Sequence, residues 1–427
     1  MDIKAIHNLF LNCSQVSIDT RKIQPNSLFV AIKGERFDAN TFAAEALEKG
    51  ASYVIIDNQD YFIDARTIIV ADSLEALQEL AKFHRNYLKL PIIALTGSNG
   101  KTTSKELMHA VLSQKFNCGA TVGNLNNHIG VPLTLLSFNK QTEIGIVEMG
   151  ANHQKEIEVL CALALPDYGY ITNFGKAHLE GFGGFEGVVK GKSEMYDYLQ
   201  VHAKTVFVNL DDAIQVEKAN RIKSFTFGLQ RENADLCIDS IVANPLVTVS
   251  WNGNKAESHL IGLYNASNIY VAIAVGKCFG IEDAAIKRAI ENYIPENNRS
   301  QLIEKDTNSI ILDAYNANPS SMAAAIENFR QLGEDSKIAI LGDMFELGKE
   351  SLAEHKNIIA FAEKDQSTKF LFIGKDFYEN RNDYPNAQYF ETFEALKDHL
   401  VQTRMANSII LIKGSRGMAL ERALEWI

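Results

Sequence analysis

Short apolar runs alternate with helix-like stretches along the chain, beginning near residue 26. Up to residue 90 the runs are SLFVAI, SYVIID and TIIVAD, and the helix-like stretches are NTFAAEALEKGA and SLEALQELAKFHRNYLK. In the second stretch, spacings of three and four place apolar side chains on one helical face, namely Leu74, Leu77, Leu80 and Ala81. Pro91 then punctuates the start of a new strand. The pattern predicts a small α/β domain over residues 1–90.

The apolar runs between residues 91 and 295 are PIIALT, IGIVEM, YGYIT and TVFVNL, and each precedes a turn or helix-like segment. Runs that are apolar on both faces and alternate with helices indicate a parallel sheet covered on two sides. Ligands of such sheets collect at the carboxyl ends of the strands. The polar clusters TGSNGKTT, EMGANH and TNFGKAH all fall there, which predicts one shared site in a central domain.

A third alternation follows the segment PENNRS, with the runs SIILDAY, KIAILGDM, KFLFIG and SIILIKGSRG separated by helical stretches. It predicts a third domain over residues 296–427. The expected fold class is therefore α/β, with three domains over residues 1–90, 91–295 and 296–427.

Composition narrows the class of protein. A chain of 427 residues exceeds what one hydrophobic core normally fills. Its formal charge of -11 disfavours a nucleic-acid partner, which would require a basic surface. Five scattered cysteines without a C-x-x-C pair fit a reducing compartment. No run approaches about 18 apolar residues, and the start MDIKAIHNLF does not read as a signal peptide. We expect a cytoplasmic protein without membrane insertion.

The loop in PIIALTGSNGKTTSKE joins a strand to a helix and carries Gly97, Gly100, Lys101 and Thr102. Backbone N–H groups at a helix N-terminus attract phosphate, and the lysine adds a full charge. The best-known nucleotide signature has a glycine where this chain has Leu95. The loop predicts a phosphate cradle, with Thr102 placed to reach a magnesium ion. An ordinary strand-to-helix turn is the alternative.

Two further strand ends carry groups that fit a metal site. Glu148 ends an apolar strand, where a carboxylate is costly unless it is paired or binds metal. His178 follows the next strand and is either a ligand or a hydrogen-bonded structural residue. Lys190 and Lys192 begin a helix two residues apart, so at about 100° per residue only one can face the site.

Three clusters later in the chain have both functional and structural interpretations. Asn265 and Asn268 share a helical face that recognises a heterocycle or merely caps the helix. Asp313 ends a strand and belongs either to the site or to an ordinary turn. Lys413 and Arg416 form a compact cationic pocket or a solvated surface pair.

Together these segments resemble the Mur ligase family of peptidoglycan synthesis. The resemblance rests on TVGNLNNHIGVPLTLL, EMGANHQKEI, ITNFGKAHLEGFG, LDAYNANPSSM and LGDMFELG, which occur in the family's order. It implies an N-terminal domain that holds the UDP part of the substrate, a central P-loop ATPase domain and a C-terminal Rossmann-like domain for the incoming amino component. The YNANP segment favours D-Ala-D-Ala as that component, because relatives that take other amino acids usually carry a histidine there.

The resemblance also implies roles for individual residues. Catalytic roles fall on Lys101, Lys192 and His178. Metal ligands are implied at Thr102, Glu148, His178 and Lys192, the last as a carbamate, with Gly191 replacing the usual alanine before it. ATP contacts are implied at Gly97, Ser98, Asn99, Gly100, Lys101, Thr102, Thr103, Asn265, Asn268, Arg299, Asp313 and Asn316. Substrate contacts are implied at Ser17, Thr20, Arg21, Asn124, Asn126, Asn127, Lys413 and Arg416.

The implied reaction is an ATP-driven amide ligation that depends on Mg²⁺. The terminal carboxylate of UDP-MurNAc-tripeptide takes the γ-phosphate, and the amine of D-Ala-D-Ala then displaces phosphate from the acyl phosphate. We expect a monomer. The alternatives are a sibling Mur ligase or folylpolyglutamate synthetase with another acceptor, a phosphate-loop kinase, and a nucleotide-binding regulatory protein without turnover.

Overall fold

The computed structural model describes residues 1–34, 37–296, 298–333, 336–382, 384–385, 387–403 and 405–427. The chain is built around three larger sheets, each mostly or wholly parallel and flanked by helices. The predicted α/β class is confirmed. No helix within the described residues is long and apolar enough to cross a lipid bilayer.

The N-terminal part is a four-stranded parallel sheet in the order β1-β2-β5-β6. The strands of this sheet are β1 Val16–Ser17, β2 Ser27–Val30, β5 Ala51–Ile56 and β6 Thr67–Ile69, and a separate antiparallel pair is formed by β3 Lys33–Gly34 and β4 Phe37–Asp38. The helices of this part are α1 Ile3–Phe10, α2 Ala43–Glu48 and α3 Ser73–Leu88. Helix α3 begins where the Asp72 carboxylate accepts a hydrogen bond from the Glu75 N–H. Of its predicted apolar face, Leu77, Leu80 and Ala81 are buried and Leu74 is partly exposed.

The central part is a seven-stranded parallel sheet in the order β13-β12-β11-β10-β7-β9-β8. Its strands are β7 Ile92–Thr96, β8 Cys118–Ala120, β9 Ile144–Glu148, β10 Tyr168–Ile171, β11 Thr205–Asn209, β12 Lys223–Leu229 and β13 Leu236–Ile238. Its helices are α4 Lys101–Leu112, α5 Gly130–Ser137, α6 Glu156–Ala164, α7 Leu179–Phe182, α8 Phe185–Val201, α9 Ala213–Lys218, α10 Ala266–Cys278 and α11 Asp283–Asn292.

Strand β7 shows why its run is apolar on both faces. Ile92 and Ala94 belong to one hydrophobic cluster, whereas Ile93 and Leu95 belong to another on the opposite side of the sheet. All five residues of β7 are buried, as are all five of β9. The two strands therefore hold the loops that follow them on a rigid base.

An antiparallel sheet that the apolar runs did not predict joins the central part. Its strands are β14 Ser240–Ala243, β15 Leu246–Trp251 and β16 Asn254–Ile261. Along β15 only alternate residues are buried, namely Val247, Val249 and Trp251. This alternation is typical of an antiparallel sheet with one face on the core, and it leaves no continuous apolar run.

The C-terminal part is a six-stranded sheet in the order β17-β18-β22-β19-β20-β21, in which only β17 runs antiparallel to its neighbour. Its strands are β17 Gln301–Lys305, β18 Asn308–Asp313, β19 Lys337–Gly342, β20 Thr368–Ile373, β21 Gln388–Phe390 and β22 Ile409–Lys413, and its helices are α12 Pro319–Arg330, α13 Ser351–Ala362, α14 Lys375–Glu379 and α15 Phe393–Gln402. The domain boundaries near residues 90 and 295 stay predictions; they fall between the sheets.

Candidate active site

A cavity of about 1110 Å³ lies at the carboxyl ends of the central strands and is closed partly by the C-terminal part. Gln78 of α3 also contributes to its wall. Most of the predicted site residues line it: Ser98, Asn99, Gly100, Lys101, Thr102, Thr103, Asn124, Asn126, Asn127, Glu148, His178, Asn265, Asn268, Arg299, Asp313, Asn316 and Lys413. The fold therefore brings together residues spread over more than three hundred positions of the chain.

The loop between β7 and α4 has the geometry of a phosphate cradle. Gly97 and Gly100 have φ of +146° and +77°, values that residues with a Cβ rarely adopt. A Cβ on Gly97 would lie 1.8 Å from the Thr172 hydroxyl oxygen. Helix α4 starts at Lys101, and the first N–H groups of a helix have no partner within it. The first turn of α4 thus presents its N–H groups and the positive end of the helix dipole to the cavity.

Asn268 of α10 holds this loop from behind. Its Oδ1 accepts a hydrogen bond from the Ser104 hydroxyl at 2.9 Å, and its Nδ2 donates to Asn265 Oδ1 at 2.8 Å. A Cβ on Gly100 would lie 2.4 Å from Asn268 Oδ1. The Asn265 amide in turn donates to the Ile261 carbonyl at 2.8 Å. These side-chain atoms of the two asparagines are therefore hydrogen-bonded within the protein, although both residues line the cavity.

Glu148 and Thr102 lie together next to the loop. The Thr102 hydroxyl donates to Glu148 Oε2 at 3.0 Å, and Asn126 Nδ2 donates to Oε1 at 2.9 Å. The carboxylate is only 2% exposed. Lys101 Nζ donates to the Gly97 carbonyl at 2.7 Å. Burial is the main cause that lowers the pKa of Lys101; Glu148 opposes it and Arg299 adds to it.

Lys192 and Lys190 have opposite environments on helix α8. Lys192 is 1% exposed and its Nζ lies 5.3 Å from the centroid of the Phe182 ring, whereas Lys190 is exposed. Burial first, and then the charge of Lys101, hold the pKa of Lys192 well below its ordinary value. Lys192 is not among the residues that line the cavity. A Cβ on Gly191 would meet the Phe182 ring at 2.5 Å, which gives a steric reason for glycine here.

His178 contacts the C-terminal part. Its Nδ1 lies 2.5 Å from Glu346 Oε2, but the contact does not have the geometry of a hydrogen bond. The contact with His178 holds the pKa of Glu346 below its usual range. Nearby, Lys176 Nζ pairs with Glu354 at 2.6 Å. A histidine–carboxylate contact and a lysine–glutamate ion pair thus join the central and C-terminal parts at the cavity edge.

A direct contact links the phosphate loop to the YNANP segment. Asn318 Nδ2 donates to Asn99 Oδ1 at 2.7 Å, and the same Asn318 caps helix α12 through its other side-chain atom. The Lys176 N–H donates to the Ser320 hydroxyl at 2.9 Å. Loop position is therefore coupled to the position of α12.

Buried Lys413 forms an ion pair with partly buried Asp313 at 2.6 Å, and its ammonium also donates to the Asn316 carbonyl at 3.2 Å. Arg299 stacks its guanidinium 3.7 Å from the centroid of the Tyr315 ring. The expected pocket shared by Lys413 and Arg416 is not formed. Arg416 is exposed, pairs with Glu421 at 2.7 Å and is not among the residues lining the cavity, because it lies on the turn after β22.

The residues predicted to contact the uridine lie apart from the cavity. Ser17 lines a second cavity of about 760 Å³ between the N-terminal part and α5. Thr20 and Arg21 line neither cavity, and Arg21 pairs with Asp19 of its own turn at 2.8 Å. Their predicted role stays a prediction.

Several residues of the site were not identified from the sequence. Asn173 Oδ1 accepts the Asn99 N–H at 3.1 Å, and the Thr172 hydroxyl donates to the Asn99 carbonyl at 2.6 Å. Both residues follow the end of β10, which lies beside β7, so their proximity to the phosphate loop could have been predicted from the order of the strands. Asn318 and Glu346 lie in the segments LDAYNANPSSM and LGDMFELG that carry the resemblance, but their contacts could not be predicted, because these depend on how the C-terminal part docks.

A phosphate cradle at the edge of a parallel sheet, with a buried carboxylate on the next strand and a second α/β unit docked over both, defines a multidomain nucleotide-dependent α/β protein. Three family models cover most of the chain: "Mur ligase family, catalytic domain" over 12–85, "Mur ligase middle domain" over 95–276 and "Mur ligase, glutamate ligase domain" over 298–416. The chain belongs to the Mur ligase family.

Curated relatives and a solved structure agree with this assignment. The UDP-N-acetylmuramoyl-tripeptide–D-alanyl-D-alanine ligase of Bacillus subtilis is 34% identical over 426 residues, covering 96% of this chain and 92% of its own. The enzyme of the same name from Escherichia coli is 34% identical over 420 residues, with the same two coverages. A crystal structure of MurF from Acinetobacter baumannii superposes with a TM-score of 0.86 at 29% identity, covering 99% of this chain and 97% of that one.

Proposed function

We propose that this protein is the ATP-dependent ligase that joins D-alanyl-D-alanine to UDP-MurNAc-tripeptide in the synthesis of peptidoglycan precursors. The observation that carries the proposal is the similarity, over nearly the whole chain, to two ligases that bear this name. The cavity supports it, because the phosphate loop, the cations Lys101 and Arg299 and residues of the C-terminal part line one cavity.

The first step transfers phosphate to a carboxylate. An oxygen of the tripeptide carboxylate attacks the γ-phosphorus of ATP, the bond to the bridging oxygen breaks, and ADP leaves. The N–H groups at the start of α4 and the Lys101 ammonium stabilise the charge on the transferred group. Arg299, held by Tyr315, is a further cation on the cavity wall.

The second step forms the amide. The neutral amine of D-Ala-D-Ala attacks the acyl carbon and the bond from carbon to the phosphate oxygen breaks. Phosphate leaves as hydrogen phosphate, which carries away the one proton that the nitrogen loses. The docked C-terminal part keeps water away from the acyl phosphate, and the contact of Asn318 with Asn99 holds it in place.

The residues present fit divalent cations. Glu148 and Thr102 place a buried carboxylate beside a hydroxyl next to the loop, which are oxygen ligands of the kind that Mg²⁺ prefers. His178 and a carbamylated Lys192 would hold a second ion. When bound, Mg²⁺ supplies positive charge that offsets the charge of the phosphates.

The environment of Lys192 favours carbamylation. Its lowered pKa increases the fraction of neutral amine. That nitrogen can attack CO₂, forming an N–C bond and releasing one proton, which converts a cation into an anion.

We also propose that the enzyme acts as a cytoplasmic monomer. All five cysteines are free, which fits a reducing compartment.

Phosphate release measured with UDP-MurNAc-tripeptide and ATP tests the proposal. Release should depend on D-Ala-D-Ala and should not respond to meso-diaminopimelate, D-Glu or L-Glu. Stimulation by one of those amino acids instead would identify a sibling ligase or a folylpolyglutamate synthetase. Phosphate transfer that needs no amine would identify a kinase, and ATP binding without release would identify a regulatory protein.

A further inference from the structure

His178 is held at a boundary between two parts of the protein. The ring lies in the central part and lines the cavity, but the carboxylate beside Nδ1 belongs to Glu346 of the C-terminal part. The other ring nitrogen, Nε2, makes no hydrogen bond to any residue that the structure describes. Nδ1 of His178 therefore lies within ion-pair distance of a carboxylate across the boundary, without a hydrogen bond in the present ring orientation, and Nε2 is available.

The segment that carries Glu346 is firmly anchored. It follows β19, where Asp343 accepts hydrogen bonds from the N–H groups of Asp376 and Phe377, both at 3.1 Å. The next N–H, that of Met344, donates to Nε2 of buried His355 at 3.0 Å. His355 Nδ1 lies 2.7 Å from the Ser351 carbonyl, so the protein uses both ring nitrogens. This cluster therefore acts as an anchor rather than as a metal site.

The tip of the segment rests on the central part. Glu346 itself has φ of +63°, an uncommon value for a residue other than glycine. The Glu346 carbonyl accepts the Glu180 N–H at 3.4 Å, and Gly348 leaves room for the Glu180 side chain, which a Cβ would meet at 3.0 Å. The backbone is thus bent so that the Glu346 carboxylate reaches His178.

We propose that Glu346 is a positioning residue that accepts the Nδ1 proton of His178 and so leaves Nε2 free to hold a divalent cation. This inference rests on the proposed function. Histidines that bind metals usually donate their other N–H to a carboxylate or carbonyl, which fixes the tautomer and the ring orientation. Here the carboxylate comes from another part of the chain, so the cation site is complete only when the C-terminal part is docked.

Binding of Mn²⁺ followed by pulsed electron paramagnetic resonance tests this role. Nitrogen modulation of the echo reports an imidazole bound to Mn²⁺, and it should be present in the wild-type protein and lost in His178→Ala. Glu346→Ala should need about 10- to 100-fold more Mn²⁺ to reach half of the signal. Glu346→Gln should need a Mn²⁺ concentration between those of the wild type and Glu346→Ala, because its amide oxygen still accepts the hydrogen bond from Nδ1. The Glu346 side chain is 54% exposed, so these variants should fold normally.

Lys176→Met is the matched control. It removes the neighbouring ion pair to Glu354 without touching His178, and its Mn²⁺ titration should stay within about twofold of wild type. Equal titrations for Glu346→Ala and wild type would overturn the proposal, as would an equal loss in Lys176→Met or a wild-type signal without nitrogen modulation.

Magnesium dependence of phosphate release supplies a second readout. For Glu346→Ala the half-saturating Mg²⁺ concentration should rise by about the same factor, while the rate at saturating Mg²⁺ returns to within about threefold of wild type. A rate that excess Mg²⁺ does not restore would contradict a positioning role. If the Mn²⁺ results hold but wild-type release ignores D-Ala-D-Ala, the proposed function fails and the role of Glu346 stands.

Discussion

Replacing Gly100 by alanine should damage the phosphate loop in two separable ways. The backbone at Gly100 has φ of +77°, and a Cβ there would lie 2.4 Å from Asn268 Oδ1. A residue with a Cβ in the left-handed region costs about 1–2 kcal/mol. The clash adds to this cost, because Asn268 must move away from the hydrogen bonds to Ser104 and Asn265 that it makes in a buried position.

The structure allows the second cost to be estimated. Each buried hydrogen bond that loses its partner costs about 1–3 kcal/mol. With partial relaxation, we expect the displacement of Asn268 to cost about 2–3 kcal/mol of stability. Together with the backbone cost, Gly100→Ala should lower the free energy of unfolding by about 3–5 kcal/mol. The start of α4 should shift with Ser104, so the Kd for ATP should rise by at least about tenfold, or 1.4 kcal/mol.

Gly253 is a matched control for the backbone cost alone. It has φ of +73° in the turn between β15 and β16, and a Cβ added there would meet no atom of the described residues within 4 Å. Gly253→Ala should cost only about 1–2 kcal/mol in urea unfolding and should bind ATP normally in calorimetry. Adding Asn268→Ala to Gly100→Ala should remove much of the difference. Equal costs for the two glycine variants, or no coupling with Asn268, would refute the reasoning.

Three further predictions concern other parts of the molecule. Lys192→Ala should lower the rate of ligation at least about a hundredfold, and short carboxylates that replace the carbamate should partly restore it. Lys190→Ala should keep near-normal activity. If short carboxylates rescued Lys190→Ala instead, the choice of Lys192 would be wrong. Asp313→Asn leaves the buried ammonium of Lys413 without its partner and should lower the free energy of unfolding in urea by about 3–5 kcal/mol. Replacing Lys413 by methionine as well should restore much of this stability. No recovery in the double variant would contradict the prediction. Burial first, and then the nearby His84, lower the pKa of His7 to about 4, so the unfolded state takes up a proton near pH 6.5 while the folded state does not. Stability should therefore fall as the pH drops from 6.5 to 4, by up to about 3 kcal/mol, and His7→Gln should flatten this slope; an unchanged slope would refute it.

Much of the fold could be predicted because burial on both faces leaves a local signature. The run PIIALT is apolar throughout because β7 contributes to a hydrophobic cluster on each side of the sheet. The strands β14 to β16 leave a weaker signature, since only alternate residues of β15 are buried. Short edge strands such as β21, Gln388–Phe390, were missed because three residues carry too little pattern.

Site residues could be predicted where the chemistry sits at the end of a recognisable strand. Lys101 and Glu148 follow β7 and end β9, so neighbouring parallel strands bring them together. The pairing of Asp313 with Lys413 could not be predicted. It depends on β18 lying beside β22 in a register that sets these two residues opposite each other, although one hundred positions separate them. Docking contacts such as that of Glu346 depend on even more distant geometry.

The hold of Asn268 on the phosphate loop also has a consequence for synthesis on the ribosome. Ser104 and Asn268 are 164 residues apart, and at about 5–20 residues per second the second is made roughly 10 to 30 s after the first. During that time the emerging chain has the loop residues but lacks the side chain that fixes them. We expect stalled chains that end before residue 268 to bind ATP poorly, so that nucleotide capture marks completion of the central part.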